Sequence, residues 1–484
     1  MNERLRRVLP ALATAVAAGL LLRWVVSLTP VWWLAWVAPV PLLLLAFHAS
    51  ARTARWWVLL GAVIATSVNV PYLRLVMPLP LALLAVLLQA LLWVLVLGMT
   101  RRVVVGGRSA WAVLAYPVYW VAVDTLMASL LPDGNWGSLA YSQADVLPVA
   151  QLAALLGAPG VLFVLALVPS ALAWALYRPA DSQRPSPWAA LGGVALVLLA
   201  TLGYGTWRVR QPLAGEPITV GLAAIDDFTG PDADAGVRER ILGQYASQVA
   251  ALARDGAQLV VLPEKLVLVR PAAAEALQAR LAAIALTERV WLLAGIGIDD
   301  GHAPRNHAWL FDPAGQQAAD YEKHKLAPPE RAEHYGNGSA WATSDVLGHR
   351  FGIAICKDMH FASLGRAYGN LRPAVMLVPA WDFENRDQWL ESRTTAMRGI
   401  ENGYAVVRAG RESLLSVSDA HGRMLSERAS SRMPGTTLLF RLQVGPPLHT
   451  LYTRIGNLAG WLCVLAAVAL PIVRRRRASP VTRP

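Results

Sequence analysis

The chain has 484 residues, of which 55% are hydrophobic and only 16% charged, with 19 tryptophans and a formal net charge of +12. So apolar a composition excludes a single soluble domain. The charge is split: residues 208–450 hold 26 Lys and Arg against 27 Asp and Glu, the remainder 18 against 5, which excludes a basic nucleic-acid-binding domain.

In chain order, apolar runs of about 20 residues, enough to span a bilayer, predict helices at 8–29, 31–48, 56–76, 78–99, 110–131, 148–177, 187–207 and 451–473. The sixth is long enough to tilt or break at Gly157-Ala158-Pro159-Gly160. Residues 8–29 resemble a secretory signal, but Arg23 interrupts them and no small-residue cleavage site follows, so a retained helix is expected. Basic residues alternate between the loops. Arg4, Arg6 and Arg7, then Arg52 and Arg55, Arg101, Arg102 and Arg108, Arg178 and Arg184, and Arg474 to Arg477 fall on one side; the loops near 30, 77 and 132–147 carry no Lys or Arg. By the positive-inside rule both chain ends are cytoplasmic and 208–450 lies outside. The expected organisation is a seven-helix membrane domain over 1–207, an extramembrane domain over 208–450, and a last helix with a basic tail over 451–484. Within the fifth run Asp124 is either a helix-packing group or a functional one. The polar, aromatic loop 133–143, with Trp136 and Tyr141, fits an interfacial loop.

After Pro212 the pattern becomes α/β. Strands are predicted at Ile218–Ala223, Leu259–Leu262, Val290–Ala294, His307–Phe311, Phe351–Ile355 and Ala405–Ala409, and helices at 236–254, 272–287 and 386–402. Such alternation gives a layered fold with reactive residues at strand ends. Three such ends carry chemistry. Glu264 follows Val260-Val261-Leu262-Pro263; Lys323 follows the turn at Asp312-Pro313-Ala314-Gly315; Cys356 ends Phe351–Ile355 and precedes Lys357-Asp358. Singly, each has a bland reading as a cap, a solvated lysine and a small buried hydrophobe. Together they supply a nucleophilic thiol, a base to deprotonate it, and a cation for an oxyanion. Two cysteines, Cys356 and Cys463, the second inside an apolar run, exclude a disulfide framework.

At these positions the chain resembles the nitrilase (carbon–nitrogen hydrolase) superfamily, whose Glu–Lys–Cys triad occurs in this order. Pro263-Glu264, Tyr321-x-Lys323 and Ile355-Cys356-x-Asp358 are similar to its three motifs. Arg398-x-x-Glu401-Asn402 through Val407-Arg408-Ala409, then Asp419-x-x-Gly422, is similar to its later signature. The resemblance covers nearly all of 216–440 and implies an α-β-β-α sandwich. With about eight transmembrane helices around it, the whole chain resembles the apolipoprotein N-acyltransferase family; Trp136-x-x-x-x-Tyr141-Ser142-Gln143 and Trp120-x-x-x-Asp124 are also similar to that family's sequence. The family resemblance implies a multi-pass protein of the bacterial inner membrane with a periplasmic catalytic domain. It implies an acyl chain moved from phospholipid to an amine, most commonly the N-terminal cysteine of a lipoprotein, with no cofactor and no metal. Glu264 would be the general base, Lys323 the oxyanion stabiliser and Cys356 the nucleophile, with Glu330, Trp136, Tyr141 and Trp381 as substrate contacts.

The chain also departs from the family pattern. Lys357-Asp358 stands where an aromatic residue and Glu are usual, Leu326-Ala327-Pro328-Pro329-Glu330 is one residue short, Pro379-Ala380-Trp381-Asp382-Phe383 replaces Asn-Asp-x-Trp-Phe, and Ser413 replaces Gly. These changes leave open a membrane-tethered amidase or an acyltransferase with a different amine, and, as a third reading, an inactive binding module.

Overall fold

The computed structural model describes residues 3–107, 109–134, 136–177 and 185–478. Arg108, Arg178 and Arg184 lie outside the described residues, as do the side chains of Arg4, Arg6, Arg7 and Arg474 to Arg477. The chain divides into two compact units, Met1–Trp207 with Ile455–Pro484, and Arg208–Arg454.

The first unit is helical. Among its described residues five helices are long and apolar enough to cross a membrane: Ala51–Val76, Leu79–Val105, Ala110–Leu130, Ala153–Leu176 and Pro187–Val209. At the other three expected spans stand shorter apolar helices, Val8–Arg23, Leu34–His48 and Leu458–Leu470. Length alone therefore carries five spans rather than eight. In the second expected span a 3-10 turn, Leu34–Trp36, precedes Pro39, and the α-helix runs only over Pro39–His48. The expected break at Gly157 is present: its φ of 70° interrupts Ala153–Leu176, a conformation glycine adopts without a Cβ penalty.

Two polar side chains in this unit are held internally. Asp124 accepts from Ser138 Oγ at 2.8 Å, tying its helix to the 133–143 loop. Gln143 Oε1 accepts from Trp36 Nε1 at 3.0 Å while its Nε2 donates to the Trp32 carbonyl at 2.9 Å. Bonds of this kind are what make a polar side chain tolerable in an apolar helical bundle.

The second unit contains two sheets. The first is built from β1 (Glu216–Ala224), β2 (Leu259–Val261), β3 (Leu268–Val269), β4 (Trp291–Ile298), β5 (Arg305–Phe311), β6 (Gln317–Glu322) and, last in sequence, β13 (Thr436–Val444). Its order is β13-β1-β2-β4-β5-β6, with β3 against β4. The second sheet runs β12-β11-β10-β9-β8-β7, from β7 (Ala342–Val346), β8 (His349–Ile353), β9 (Val375–Trp381), β10 (Ala405–Arg411), β11 (Leu414–Ser418) and β12 (Met424–Ala429). Val220, Leu222 and Val261 of the first sheet and Phe351, Ile353, Val375 and Leu377 of the second share one buried core, so the sheets pack face to face. Each such side chain contributes about 1.5–3 kcal/mol. The other face of the first sheet is covered by helices Ala235–Arg254 and Pro271–Glu288, whose Ile241, Tyr245, Val249, Leu252, Leu277 and Leu281 are buried with Val260 and Leu292. Asp234 caps the first helix by accepting from Gly236 N and Val237 N.

The sequence reading places these helices and the six predicted strands within a few residues of their observed ends. It misses β3, β6, β7, β9, β11, β12 and β13. β11 and β12 pair antiparallel, with one residue of bulge between Val417 and Ser418. β12 is too exposed and too polar to show an apolar run, and in β13 the short run Leu438-Leu439-Phe440 is cut off by Arg441 and Gln443. β9 carries Pro379, which reads as a breaker; it pairs with Ala409 of β10 but lies two residues past the last pairing with β8, at Leu377, so its missing N–H leaves no gap in the ladder on that side.

Candidate active site

Three strand ends converge in the second unit. Beyond β2 the chain turns at Pro263-Glu264 and leaves Lys265 at φ 47°. This loop lies directly on Gly295 of β4, where a Cβ would come within 2.6 Å of Glu264 Cα; only glycine lets the carboxylate sit there. The hairpin between β5 and β6 closes through Asp312, whose Oδ1 accepts from Ala314 N and Gln316 N at 2.9 and 2.8 Å, with Gly315 at φ 77°. It delivers Lys323 immediately after β6. Beyond β8, Cys356 opens a short 3-10 turn, Cys356–His360, at φ 46°. A non-glycine residue held there stores about 1–3 kcal/mol of strain, a cost that recurs where a side chain must be aimed.

Glu264, Lys323 and Glu330 are 2%, 1% and 3% exposed, and Cys356 8%. Lys323 Nζ lies 2.8 Å from Glu264 Oε1 and 2.8 Å from Glu330 Oε2. Asn306 Nδ2 donates to both carboxylates, at 2.5 Å to Glu264 and 2.8 Å to Glu330. Lys265 Nζ reaches Glu330 at 3.0 Å, and Ala327 N donates to Glu330 Oε2 at 2.8 Å. Two carboxylates and two ammonium groups thus form one buried lattice of balanced charge. Glu264 Oε2 is the one carboxylate oxygen of the lattice with no partner among the described residues, and Asn306 Oδ1 is likewise unpartnered.

The electrostatics follow from this lattice. Burial works against the charge on Lys323, but Glu264, Glu330 and Cys356 override it and hold its pKa well above the ordinary lysine value. Burial would raise Glu330, yet Lys323, Lys265 and its hydrogen bonds hold it far below the usual carboxylate range. The Cys356 thiol is pushed up, first by burial and then by Glu264, with Lys323 opposing. It is therefore a neutral thiol at neutral pH, which a base must deprotonate during reaction. Its Sγ lies 3.6 Å from the Trp381 carbonyl.

Asp358, a departure noted in the sequence, ties the lysine to the cysteine. Its Oδ1 accepts from His324 N at 3.2 Å and Lys325 N at 2.8 Å, directly after Lys323. Its Oδ2 accepts from Tyr321 Oη at 2.8 Å and Ile355 N at 3.0 Å, directly before Cys356. Asp358→Ala is expected to lower stability by about 2–4 kcal/mol, because it strands buried N–H groups on both loops, and to slow reaction at Cys356. Thermal unfolding and the rate of thiol modification check both.

A second buried cluster occupies the other departures. Asp382 is paired with Arg408 and hydrogen-bonded by Ser413, the residue in place of glycine, and Arg408 Nη1 donates to Ser413 Oγ at 2.7 Å. Burial, with Glu391 adding to it, raises Asp382 to about 6 against the pull of Arg408. Glu391 accepts from His360 in the turn that carries Cys356.

Of the residues singled out in the sequence, Glu264, Lys323, Glu330, Cys356 and Trp381 come together here. Trp136 and Tyr141 belong to the helical unit, where Trp136 stacks on Tyr72 at 4.9 Å and Tyr141 is 4% exposed. Sequence reasoning missed Asn306, Lys265 and Arg411. Asn306 is 0% exposed, one residue before the predicted start of its strand. A fully buried Asn shows no signal in apolar periodicity. No group of three or more His, Cys, Asp or Glu among the described residues is arranged to hold a metal.

Two family models match this chain: the apolipoprotein N-acyltransferase N-terminal domain over residues 18–171 and carbon-nitrogen hydrolase over residues 234–416. The chain belongs to the apolipoprotein N-acyltransferase family. Among its relatives, apolipoprotein N-acyltransferase of Geobacter metallireducens is 24% identical over 393 residues, covering 76% of this chain and 75% of the relative. That of Gloeobacter violaceus is 32% identical over 280 residues, covering 54% and 51%. An amidase from Nesterenkonia sp. superposes with a TM-score of 0.42 at 20% identity, over 50% of this chain and 94% of the amidase. Family membership and the apolar helices make this a membrane N-acyltransferase whose α/β unit is of the nitrilase superfamily.

Proposed function

We propose that this protein moves an acyl chain from a phospholipid through a Cys356 thioester to an amine, most commonly the N-terminal cysteine of a lipoprotein. One observation carries the reading. Glu264 offers a free carboxylate oxygen in the same buried lattice that holds Lys323, and both act electrostatically on the Cys356 thiol. Glu264 Oε2 takes the Sγ proton as sulfur attacks the ester carbonyl. Lys323, with two of its three N–H groups on Glu264 and Glu330, gives the third to the oxyanion. The C–O bond breaks, the proton passes from Glu264 to the leaving alkoxide, and lysophospholipid departs. The amine then attacks the thioester; Glu264 takes its proton and returns it to sulfur. Glu330, Trp381, Trp136 and Tyr141 serve as substrate contacts, Glu330 through the lysine it holds.

The accompanying topology is eight spans in the bacterial inner membrane with the α/β unit periplasmic. The alternation of arginines along the sequence supports it. A membrane-tethered amidase is the second reading, favoured by the cluster of Asp382, Arg408 and Ser413 in place of the family's usual residues. Intact-mass measurement after incubation with phospholipid separates the two. A Cys356 acyl adduct, absent in Cys356→Ala, is the expected result. No adduct, with ammonia released from amides, would leave the amidase; neither signal would leave an inactive module.

A further inference from the structure

Arg411 ends β10, in register beside Trp381 at the end of β9. It is 0% exposed, and among the described residues it forms no ion pair with a carboxylate. Its Nη1 donates to the Lys265 carbonyl at 3.3 Å, whereas Nε and Nη2 have no partner. Those two nitrogens form one edge of the guanidinium, the fork that takes two oxygens of a single oxyanion side by side.

The acids that act on Arg411 each have an oxygen engaged elsewhere. Asp226 Oδ1 accepts from Glu412 N, Glu412 Oε2 from Trp381 Nε1 and Glu384 N, and Glu264 Oε1 from Lys323 and Asn306. Burial accordingly lowers the Arg411 pKa to about 10. A buried, directly unpaired cation destabilises a fold by several kcal/mol, and an apolar side chain of similar volume would not.

Its place in the site gives it a task. The guanidinium carbon lies 3.4 Å from the centroid of the Trp381 ring, and the carbonyl of the same residue accepts from Cys356 Sγ. The fork and the nucleophile thus flank one residue. Phe228, 39% exposed on the irregular segment 226–234, places its ring 4.7 Å from the guanidinium carbon.

Resting on the phospholipid donor proposed above, we infer that Arg411 binds the phosphate of that donor, Nε and Nη2 each donating to one phosphate oxygen while the ester carbonyl lies at Cys356. A phosphate fits because in a glycerophospholipid it stands one glycerol away from the ester that is cleaved. Arg411 then orients the donor and releases its phosphate with the departing lysophospholipid, and it takes no part in bond breaking.

The test compares Cys356 acylation of the full-length protein by phosphatidylglycerol and by diacylglycerol with the same chains, read by intact mass. Wild type is expected to favour the phospholipid by about 10- to 100-fold. Arg411→Gln is expected to lose most of that ratio and Arg411→Lys to keep part of it. A ratio unchanged in Arg411→Gln, or a fall shared equally by both donors, would overturn the inference, the second result marking a packing role. No wild-type adduct from phospholipid, with an adduct from a neutral activated ester, would sink the donor reading instead. A second arm then still tests Arg411. sn-Glycerol 3-phosphate should slow iodoacetamide alkylation of Cys356 in wild type and not in Arg411→Gln; equal slowing in both would mean an adventitious ion only and overturn the site.

Discussion

Replacing Lys323 by methionine is expected to cost the protein both its activity and a large part of its stability. Among the described residues, Lys323 is the one cation that contacts Glu264 and Glu330 together. Without it two carboxylates stay buried against each other, with Lys265 on one of them and Asn306 bridging both. Removing one partner of a buried charge lattice costs about 3–5 kcal/mol. The lost oxyanion donor slows acylation by about 10²- to 10³-fold.

The pH dependence gives this result a sign that a simple packing defect would not share. In wild type Glu330 is held below its ordinary value of 4.5, so its contribution to stability is present above that pH and is lost as pH falls through the depressed value. In Lys323→Met the burial of Glu330 is no longer opposed by that ammonium and raises its carboxyl instead, so the folded state takes up a proton more readily than before and recovers stability on acidification. The gap in melting temperature between the two proteins should narrow from pH 7 towards pH 4.5, the ordinary glutamate value. A gap that stays constant would show that the carboxylates are not held by Lys323.

Glu264→Gln is expected to separate reactivity from catalysis. The substitution keeps the shape, and Lys323 keeps Glu330, so the stability loss is smaller than for Lys323→Met. Acylation should fall by about 10²- to 10⁴-fold, the range for loss of a positioned base. The thiol should move the other way. Glu264 is the second cause, after burial, of the raised Cys356 pKa, so removing its charge lowers that pKa. The midpoint of iodoacetamide alkylation against pH is therefore expected at lower pH in Glu264→Gln. An unchanged acylation rate would remove Glu264 from the mechanism; an upward midpoint shift would show that its charge does not face the sulfur.

What the sequence made legible follows from how each residue meets its surroundings. Glu264, Lys323 and Cys356 stand at the ends of apolar strands or just past a turn, and such places are visible as a break in an apolar run. Glu330 was found through its motif and proves to be the second carboxylate of the lattice. Asn306 and Arg411 were invisible because their meaning lies across the sheets: one bridges β2 and the segment after β6, the other sits beside Trp381 only by the register of β9 and β10. In the sequence the departures around Cys356 left open an amidase or a different amine acceptor. In the structure Asp358 fastens two loops with four hydrogen bonds, and Ser413 pairs with Asp382, the residue beside Trp381. In the helical unit, composition marked where apolar segments lie but not their helical length, because 3-10 turns and prolines shorten them locally.

The most direct measurement is a chase of the isolated acyl-enzyme. Full-length protein acylated from phospholipid and freed of excess donor is mixed with a lipidated peptide bearing an N-terminal cysteine, and both masses are followed. The thioester mechanism predicts that each acyl group lost from Cys356 appears on the peptide amine, mole for mole, and that Cys356→Ala transfers none. Acyl release to water alone, or peptide acylation by Cys356→Ala, would contradict it.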